Sequence, residues 1–195
     1  MANDQIIATI AGASFAAGLN VYAAVGTLGL LARAHLVTLP PALHMLESWY
    51  IIAASLALFV IEFVADKIPA FDLIWNALHT FVRVPVAALL SYGASAQLSP
   101  GEQLVATLAG GAIALLAHGG KTAARAAVTP SPEPFSNVAL SLGEDVVAVS
   151  LTYLALRHPH ITIAVVAALL IALLILLRFI VRALRRLFRR AFAAH

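Results

Sequence analysis

Two adjacent acidic residues, Glu144 and Asp145, lie inside a long apolar segment, and His118 lies inside the apolar segment before it. At a helical rise of about 1.5 Å per residue, the carboxylates lie about 14 Å and the imidazole about 13 Å from the ends of their segments. These depths approach the midplane of a bilayer core about 30 Å thick. A charge there costs at least about 2.5–3.5 kcal/mol, so it requires a partner, a water-filled cavity or a function. We expect either a structural ion pair or a proton- or ion-binding site.

The segment that contains His118 also carries Lys121 and Arg125 at helical spacing, so the three side chains share one face. On the next segment, Glu144 belongs to a stripe of small and polar residues. A basic face beside an acidic one predicts that the two segments pack against each other through ion pairs. Glu144 is the more informative of the two acids, because an internal repeat gives it a counterpart in Glu47.

A further polar stripe occupies the third apolar segment. Its members follow one another at intervals of four, three and four residues, which places them on one side of a helix: Asp72, Asn76, His79 and Arg83. Arg83 would lie deep in the membrane. Pro85 follows it, and because a proline inside a helix removes a backbone hydrogen bond, we expect a kink or a re-entrant break there.

Two more carboxylates, Glu62 and Asp66, lie one helical turn apart just before this stripe, so they can share a cation or a proton. In the simpler alternative, the neighbouring Lys67 neutralises Asp66. Near the start of the chain, Gly-Leu-Asn at 18–20 is a candidate for local unwinding that would present Asn20 and backbone carbonyls. No histidines are paired at i and i+4, so we expect no metal and no other cofactor.

The composition excludes a water-soluble enzyme. Of the 195 residues, 62% are hydrophobic and 11% are charged, and the mean hydropathy is +0.96, whereas about a quarter of an ordinary soluble domain is charged. The chain has no cysteine, which excludes disulfides and thiolate chemistry. Apolar windows long enough to span a bilayer predict about six transmembrane helices, over residues 5–33, 43–65, 71–92, 102–127, 135–157 and 160–184.

The chain also contains an internal repeat. Residues 5–13, QIIATIAGA, match residues 103–111, QLVATLAGG, and residues 42–48, ALHMLES, match residues 139–145, ALSLGED. Each copy contains three crossings, so the second copy enters the membrane in the opposite direction, as in many secondary transporters. We therefore predict an all-α membrane protein of two inverted-topology three-helix repeats, residues 1–98 and 99–184, followed by a basic tail at 185–195.

The charge distribution predicts the orientation in the membrane. Six of the 12 basic residues are arginines in the last 18 residues, directly after an apolar segment. This position is typical of a cytoplasmic anchor and not of a nucleic-acid site, so both termini are predicted to be cytoplasmic in an inner membrane. Besides anchoring the chain, these arginines are candidates for binding anionic lipid.

Three runs of the sequence resemble a family of small bacterial integral-membrane proteins known only as a domain of unknown function. The runs are ASFAAGLNVYAAVGTLGLLAR at 13–33, EFVADKIPAFDLIWNALHTFVR at 62–83 and SLGEDVVA at 141–148. The resemblance covers nearly the whole chain and implies a multi-pass membrane fold, without an activity, substrate or cofactor. The matching charged and histidine positions are Glu62, Asp66, Lys67, Asp72, His79, Arg83, Glu144 and Asp145.

From these patterns we expect a small transporter or channel for a cation or a proton-coupled small solute. We also expect a homo-oligomer, in the first place a homodimer, because six short helices leave little room for a lumen. The residues predicted to line the path are Asn20, Glu47, Glu62, Asp66, Asp72, His79, Arg83, His118, Lys121, Glu144 and Asp145.

Two other functions stay open. Arg83, Lys121 and Arg125 have the charge to bind a phosphate-bearing lipid or another anion, and a duplicated scaffold that transports nothing would carry the same repeats. An intramembrane enzyme is not expected, because no serine has a convincing histidine and carboxylate partner and no double-histidine metal motif is present.

Overall fold

The computed structural model describes the backbone of residues 3–66, 69–128 and 134–192, and the side chains of residues 3–66, 75–125, 138–179, 181, 182 and 185. Within these ranges the chain is all-α, as predicted, and contains no strand. It forms one 3₁₀ helix, Pro41–Glu47, and seven α-helices: α1 Asn3–Leu19, α2 Val21–Arg33, α3 Trp49–Ala65, α4 Pro69–Ala94, α5 Pro100–Val128, α6 Pro134–Arg157 and α7 Pro159–Phe192.

Prolines mark where the last four helices begin, and they explain why the predicted starts of these helices are accurate to within two residues. Pro69, Pro100, Pro134 and Pro159 are the first residues of α4, α5, α6 and α7. A proline has no backbone N–H, which costs nothing in the first turn of a helix, where that donor has no partner. The last helix continues through Phe192, so the backbone of the predicted basic tail is an extension of α7 as far as this residue.

The first predicted crossing, residues 5–33, is two helices that meet at Asn20, which confirms the predicted unwinding. Asn20 has an extended backbone, with φ −149° and ψ 103°. Its side-chain Oδ1 accepts hydrogen bonds from the backbone N–H groups of Tyr22 at 3.1 Å and Ala23 at 2.9 Å. In a continuous helix the N–H of Ala23 would donate to the carbonyl of Leu19, so the asparagine cap frees that carbonyl for another donor.

The structure also differs from the sequence-based expectations at the second crossing and after Arg83. The second predicted crossing is bent by 65° between the 3₁₀ helix and α3. Of the kink or re-entrant break expected after Arg83, the re-entrant break is wrong, because α4 continues as one α-helix through Pro85.

The two halves of the predicted repeat agree in one segment and differ in the other. QIIATIAGA lies near the start of α1, and QLVATLAGG lies near the start of α5. ALHMLES, in contrast, is almost entirely 3₁₀ helix, whereas ALSLGED lies in the interior of α6. The pairing of Glu47 with Glu144 therefore has no counterpart in local structure.

α1 is the central helix and packs against α4, α5, α6 and α7. Twelve of its 17 residues are buried, on all sides of the helix. Two glycines allow this close packing. A Cβ at Gly12 would overlap Ala155 and Thr162, and a Cβ at Gly18 would overlap Ala114 and Ala117. Small residues at helix contacts are typical of membrane proteins, because they let the backbones approach.

The burial pattern is that of a protein surrounded by lipid. Phe81, Leu89 and Phe179 are 81%, 66% and 63% exposed, while Glu62 and Arg83 are fully buried. By length and composition, three of the described helical stretches can each span a membrane: Pro100–Arg125, Val138–Arg157 and Pro159–Phe179. The bent pair that includes α3 is a fourth if it counts as one span. The structure thus supports a membrane protein with three or four spans among the described residues.

The close contact at Gly18 predicts a stability difference between two Gly→Ala variants. Gly18→Ala should lower the free energy of unfolding by about 1–3 kcal/mol, because the added methyl group overlaps α5. Gly119 has open space around its Cβ position, so Gly119→Ala should raise stability by about 0.5–1 kcal/mol through its higher helix propensity. Unfolding in mixed detergent micelles measures both, and equal effects would contradict the close packing of α1 on α5.

Candidate functional site

Seven charged side chains from α3, α4, α5 and α6 and the turn after α3 converge in the interior, at the level of the α1–α2 break. Hereafter they are called the charged cluster, and none of their side chains is more than about a tenth exposed. The cluster consists of three basic residues, Arg83, Lys121 and Arg125, and four acidic residues, Glu62, Asp66, Glu144 and Asp145.

Lys121 lies at the centre of the cluster. Its Nζ lies 3.2 Å from Asp66 Oδ2, 3.2 Å from Glu144 Oε2 and 3.5 Å from Glu62 Oε1. It also donates a hydrogen bond of 3.1 Å to the carbonyl of Leu19, the one that the cap of α2 leaves without its helical donor. Glu62 and Asp66 therefore share a cation, as their spacing predicts.

Arg125 binds two of the same acids. Its Nη2 lies 2.8 Å from Asp66 Oδ2 and 2.6 Å from Glu144 Oε2. The expected ion pairing between the basic face of α5 and the acidic face of α6 is thus present. The alternative partner of Asp66, Lys67, lies outside the described residues.

Arg83 lies at the other end of the cluster and determines which ring nitrogen of His118 carries the proton. It is ion-paired with Glu62, and its Nη1 donates to Asn76 Oδ1 at 3.1 Å and to His118 Nδ1 at 2.6 Å. Because a guanidinium only donates, Nδ1 must be the unprotonated acceptor. The proton of this neutral imidazole is then on Nε2, which donates to Thr80 Oγ1 at 2.7 Å.

His79, next to Thr80 on α4, connects the cluster region to α2. Its ring stacks on Trp75 with centroids 4.3 Å apart, and its Nδ1 donates to the carbonyl of Trp75 at 2.7 Å. The Tyr22 hydroxyl lies 2.9 Å from His79 Nε2. Asn76 and His79 are the other two members of the α4 stripe whose side chains are described. Both are buried and hydrogen-bonded.

Asp145 enters the cluster through the helix break. Asn20 Nδ2 donates to Asp145 Oδ1 at 2.9 Å. Since the Oδ1 of Asn20 caps α2, its amide can have only this orientation. One asparagine thus closes the break and binds an acid of α6.

The structure brings most of the sequence-predicted site residues together and leaves one apart. Those that meet are Asn20, Glu62, Asp66, His79, Arg83, His118, Lys121, Glu144 and Asp145. Glu47 lies at the opposite end of α3 from Glu62, about 22 Å away at the rise of a helix. The side chain of Asp72 lies outside the described ones.

Three partners in this region are not singled out by the sequence pattern: Tyr22, Thr80 and the carbonyl of Leu19. Thr80 lies one helical turn after Asn76, and Tyr22 lies within one turn of Asn20. Spacing from the polar residues is the signal that points to these two. The carbonyl of Leu19 has no side-chain signal of its own.

The domain of unknown function DUF4126 matches residues 7–179. The chain belongs to the DUF4126 family. No curated protein and no solved structure matches it. Membership of DUF4126 confirms the resemblance to an uncharacterised family and assigns no activity, so the function of this DUF4126 member is inferred from its own chemistry.

The arrangement favours ion-pair and proton chemistry over metal binding. Among the described residues of this DUF4126 chain, no three histidine or acidic side chains are grouped to hold a metal ion. Glu62, Asp66 and Glu144 face cationic side chains, which would oppose a metal ion. A buried carboxylate paired in this way can exchange partners or accept a proton.

Removing Arg83 tests the energetic role of the cluster. Arg83→Met should lower the free energy of unfolding by about 3–5 kcal/mol, because it leaves Glu62 with a reduced set of partners in the interior. The double variant Glu62→Met/Arg83→Met should lose less than the two single variants together, since neither charge is then left alone. The free energies of unfolding of the wild type, the two single variants and the double variant, measured in mixed detergent micelles, form a double-mutant cycle.

Arg157→Met is the matched control, because Arg157 is exposed and donates to the carbonyl of Leu36. It should change stability much less than Arg83→Met. Additive effects of Glu62→Met and Arg83→Met would contradict a direct energetic coupling between the two side chains.

Proposed function

We propose that the protein is a small multi-pass membrane transporter or channel for a cation or a proton-coupled small solute, with the charged cluster on its path. The observation that carries this proposal is the position of seven buried charges beside a break in the α1–α2 segment. Ionisable groups inside a membrane protein are costly, and they commonly mark ion pathways and proton relays.

The break gives the cluster a polar backbone as well as polar side chains. At the end of α1, the carbonyl of Leu19 accepts from the ammonium of Lys121. At the start of α2, Asn20 binds the carboxyl of Asp145. Discontinuous helices in transporters place such helix ends at substrate and coupling-ion sites, because irregular backbone is tolerated there only where it is satisfied by protein or water.

The charge balance of the cluster favours a cation over an anion. With four acidic and three basic side chains, its formal charge is −1 when all seven are ionised. The alternative function, binding of a phosphate-bearing lipid or another anion, would use Arg83, Lys121 and Arg125. Each of these already faces at least one carboxylate, so an anion would have to displace it.

A cavity provides a route to the cluster from the side of the bundle. It has a volume of about 460 Å³, is formed by α1, α5, α6 and α7, and has Lys121 and Glu144 in its wall. Most of its other lining residues are apolar, among them Phe15, Leu140 and Leu173. A solute that enters this cavity would meet the ion pair between Lys121 and Glu144 first.

The finer architecture is part of the proposal. We propose six crossings as two inverted three-helix repeats in an inner membrane, with both termini cytoplasmic and the chain assembled as a homo-oligomer. The matching starts of α1 and α5 support the duplication. The arginines of the last 18 residues support a cytoplasmic C-terminus and are candidates for contact with anionic lipid.

Transport is tested in liposomes that contain the purified full-length protein. We expect proton or alkali-cation flux, measured with internal fluorescent indicators, to fall at least about tenfold in Glu144→Gln. The substitution removes the charge that Lys121 and Arg125 both bind, and a loss of about 1.4 kcal/mol of stabilisation on the path corresponds to this factor.

Glu102→Gln is the matched control for the flux measurement. Glu102 is exposed in the first turn of α5, where it accepts hydrogen bonds from Ser99, and glutamine can replace it in such a capping box. Flux that is unaltered by Glu144→Gln, or absent under every gradient of protons, sodium, potassium and chloride, would overturn transport and favour a scaffold whose cluster only fixes helix packing.

A further inference from the structure

We propose that Asp145 is the proton-binding site of the charged cluster, with Ser141 as the acceptor of the bound proton. The inference rests on the proposed function and names the coupling ion of the same site. Asp145 differs from the other three acids of the cluster, since the ion pairs between described side chains do not include it.

The surroundings of Asp145 leave one of its oxygens without a donor. Asn20 donates to Oδ1, while Oδ2 is buried and has no hydrogen-bond partner among the described residues. The residue as a whole is 7% exposed. An ionised carboxylate with one amide donor is poorly stabilised in such a place, whereas a neutral carboxylic acid needs only an acceptor for its proton.

Ser141 can supply that acceptor. It precedes Asp145 by one helical turn on α6 and therefore lies on the same face. Its side chain is fully buried, and its Oγ also has no hydrogen-bond partner among the described residues. The two oxygens lie one turn apart and are not hydrogen-bonded to each other in the structure. The serine hydroxyl carries its own hydrogen, but its oxygen can also accept, so Ser141 Oγ is available to a protonated Asp145 when either side chain rotates.

The charges that face Asp145 from the neighbouring elements also favour a bound proton. Glu62 and Asp66 act on it from α3 and the turn that follows, and Lys121 acts on it from α5. Glu144 is its neighbour on α6, and Asn20 at the break is uncharged. Two carboxylates therefore oppose one ammonium among the groups that act on Asp145, while Arg83 and Arg125 are paired with Glu62, Asp66 and Glu144.

The step balances as a simple protonation. One proton binds Asp145 Oδ2 and forms an O–H group that donates to Ser141 Oγ, and no other covalent bond changes. Asn20 continues to donate to Oδ1, which remains an acceptor in the acid form. The formal charge of the described cluster changes from −1 to 0, so it is neutral when the proton is bound.

Infrared difference spectroscopy of the full-length protein in lipid nanodiscs tests this assignment without transport. A protonated carboxyl has a C=O stretching band that is separate from the bands of carboxylates. In wild-type protein we expect such a band to appear and disappear with pH. It should be lost in Asp145→Asn, which keeps the acceptor for Asn20, and it should be retained in Glu102→Gln.

Ser141→Ala provides a second test of the assignment if Asp145→Asn folds poorly. It should retain the band but shift its position, because the bound proton loses its acceptor. A wild-type spectrum without the band at every pH, a band that persists in Asp145→Asn, or a response to sodium at fixed pH with none to pH would overturn the inference. A band that depends on Asp145 in a protein without flux would overturn transport alone.

Discussion

The ammonium of Lys121 is the contact on which the arrangement of the helices depends. It binds the carbonyl end of α1, two acids at the end of α3 and one acid of α6, while its own backbone belongs to α5. An ammonium without these partners would carry the full desolvation cost of a buried charge. The partners come from distant parts of the chain, so the four segments must assemble together for the charge to be tolerated. Close packing of α1 on α5 at Gly18 brings the carbonyl and the ammonium within reach.

The cluster also contains duplicate contacts that make partner exchange possible. Asp66 and Glu144 each contact both Lys121 and Arg125. If one of these contacts opens, each charge keeps another partner, so the full cost of an unpaired buried ion is avoided. A purely structural ion pair needs no such duplication. A site that passes a cation or a proton does, because its charges must separate and pair again within a low-dielectric interior.

Much of the helical fold, most members of the site and the ion pairing of α5 with α6 follow from the sequence, whereas several individual contacts do not. Prolines mark the starts of α4 to α7, and polar residues at membrane depth identify the cluster, since each needs a reason to be there. Asp66 contacts Lys121 and Arg125 on α5, 55 and 59 residues away, whereas Lys67, the neighbour that the sequence suggests, lies outside the described residues. Likewise, the repeat relates Glu47 to Glu144, although only Glu144 lies in the cluster. Helix rotation and packing decide such long-range contacts, which a linear pattern does not specify.

At the break at Asn20, the end of α1 lies near a basic residue of the cluster and the start of α2 lies near an acidic one. The carbonyl end of a helix is partially negative and its amide end partially positive. At the break, the carbonyl of Leu19 binds the cation Lys121, and the first turn of α2 is capped by an asparagine that also binds the acid Asp145. Each helix end therefore lies near a charge of opposite sign. Because one amide group serves both the cap and Asp145, a change in the charge of Asp145 acts directly on the hydrogen bonds that hold α2 in place.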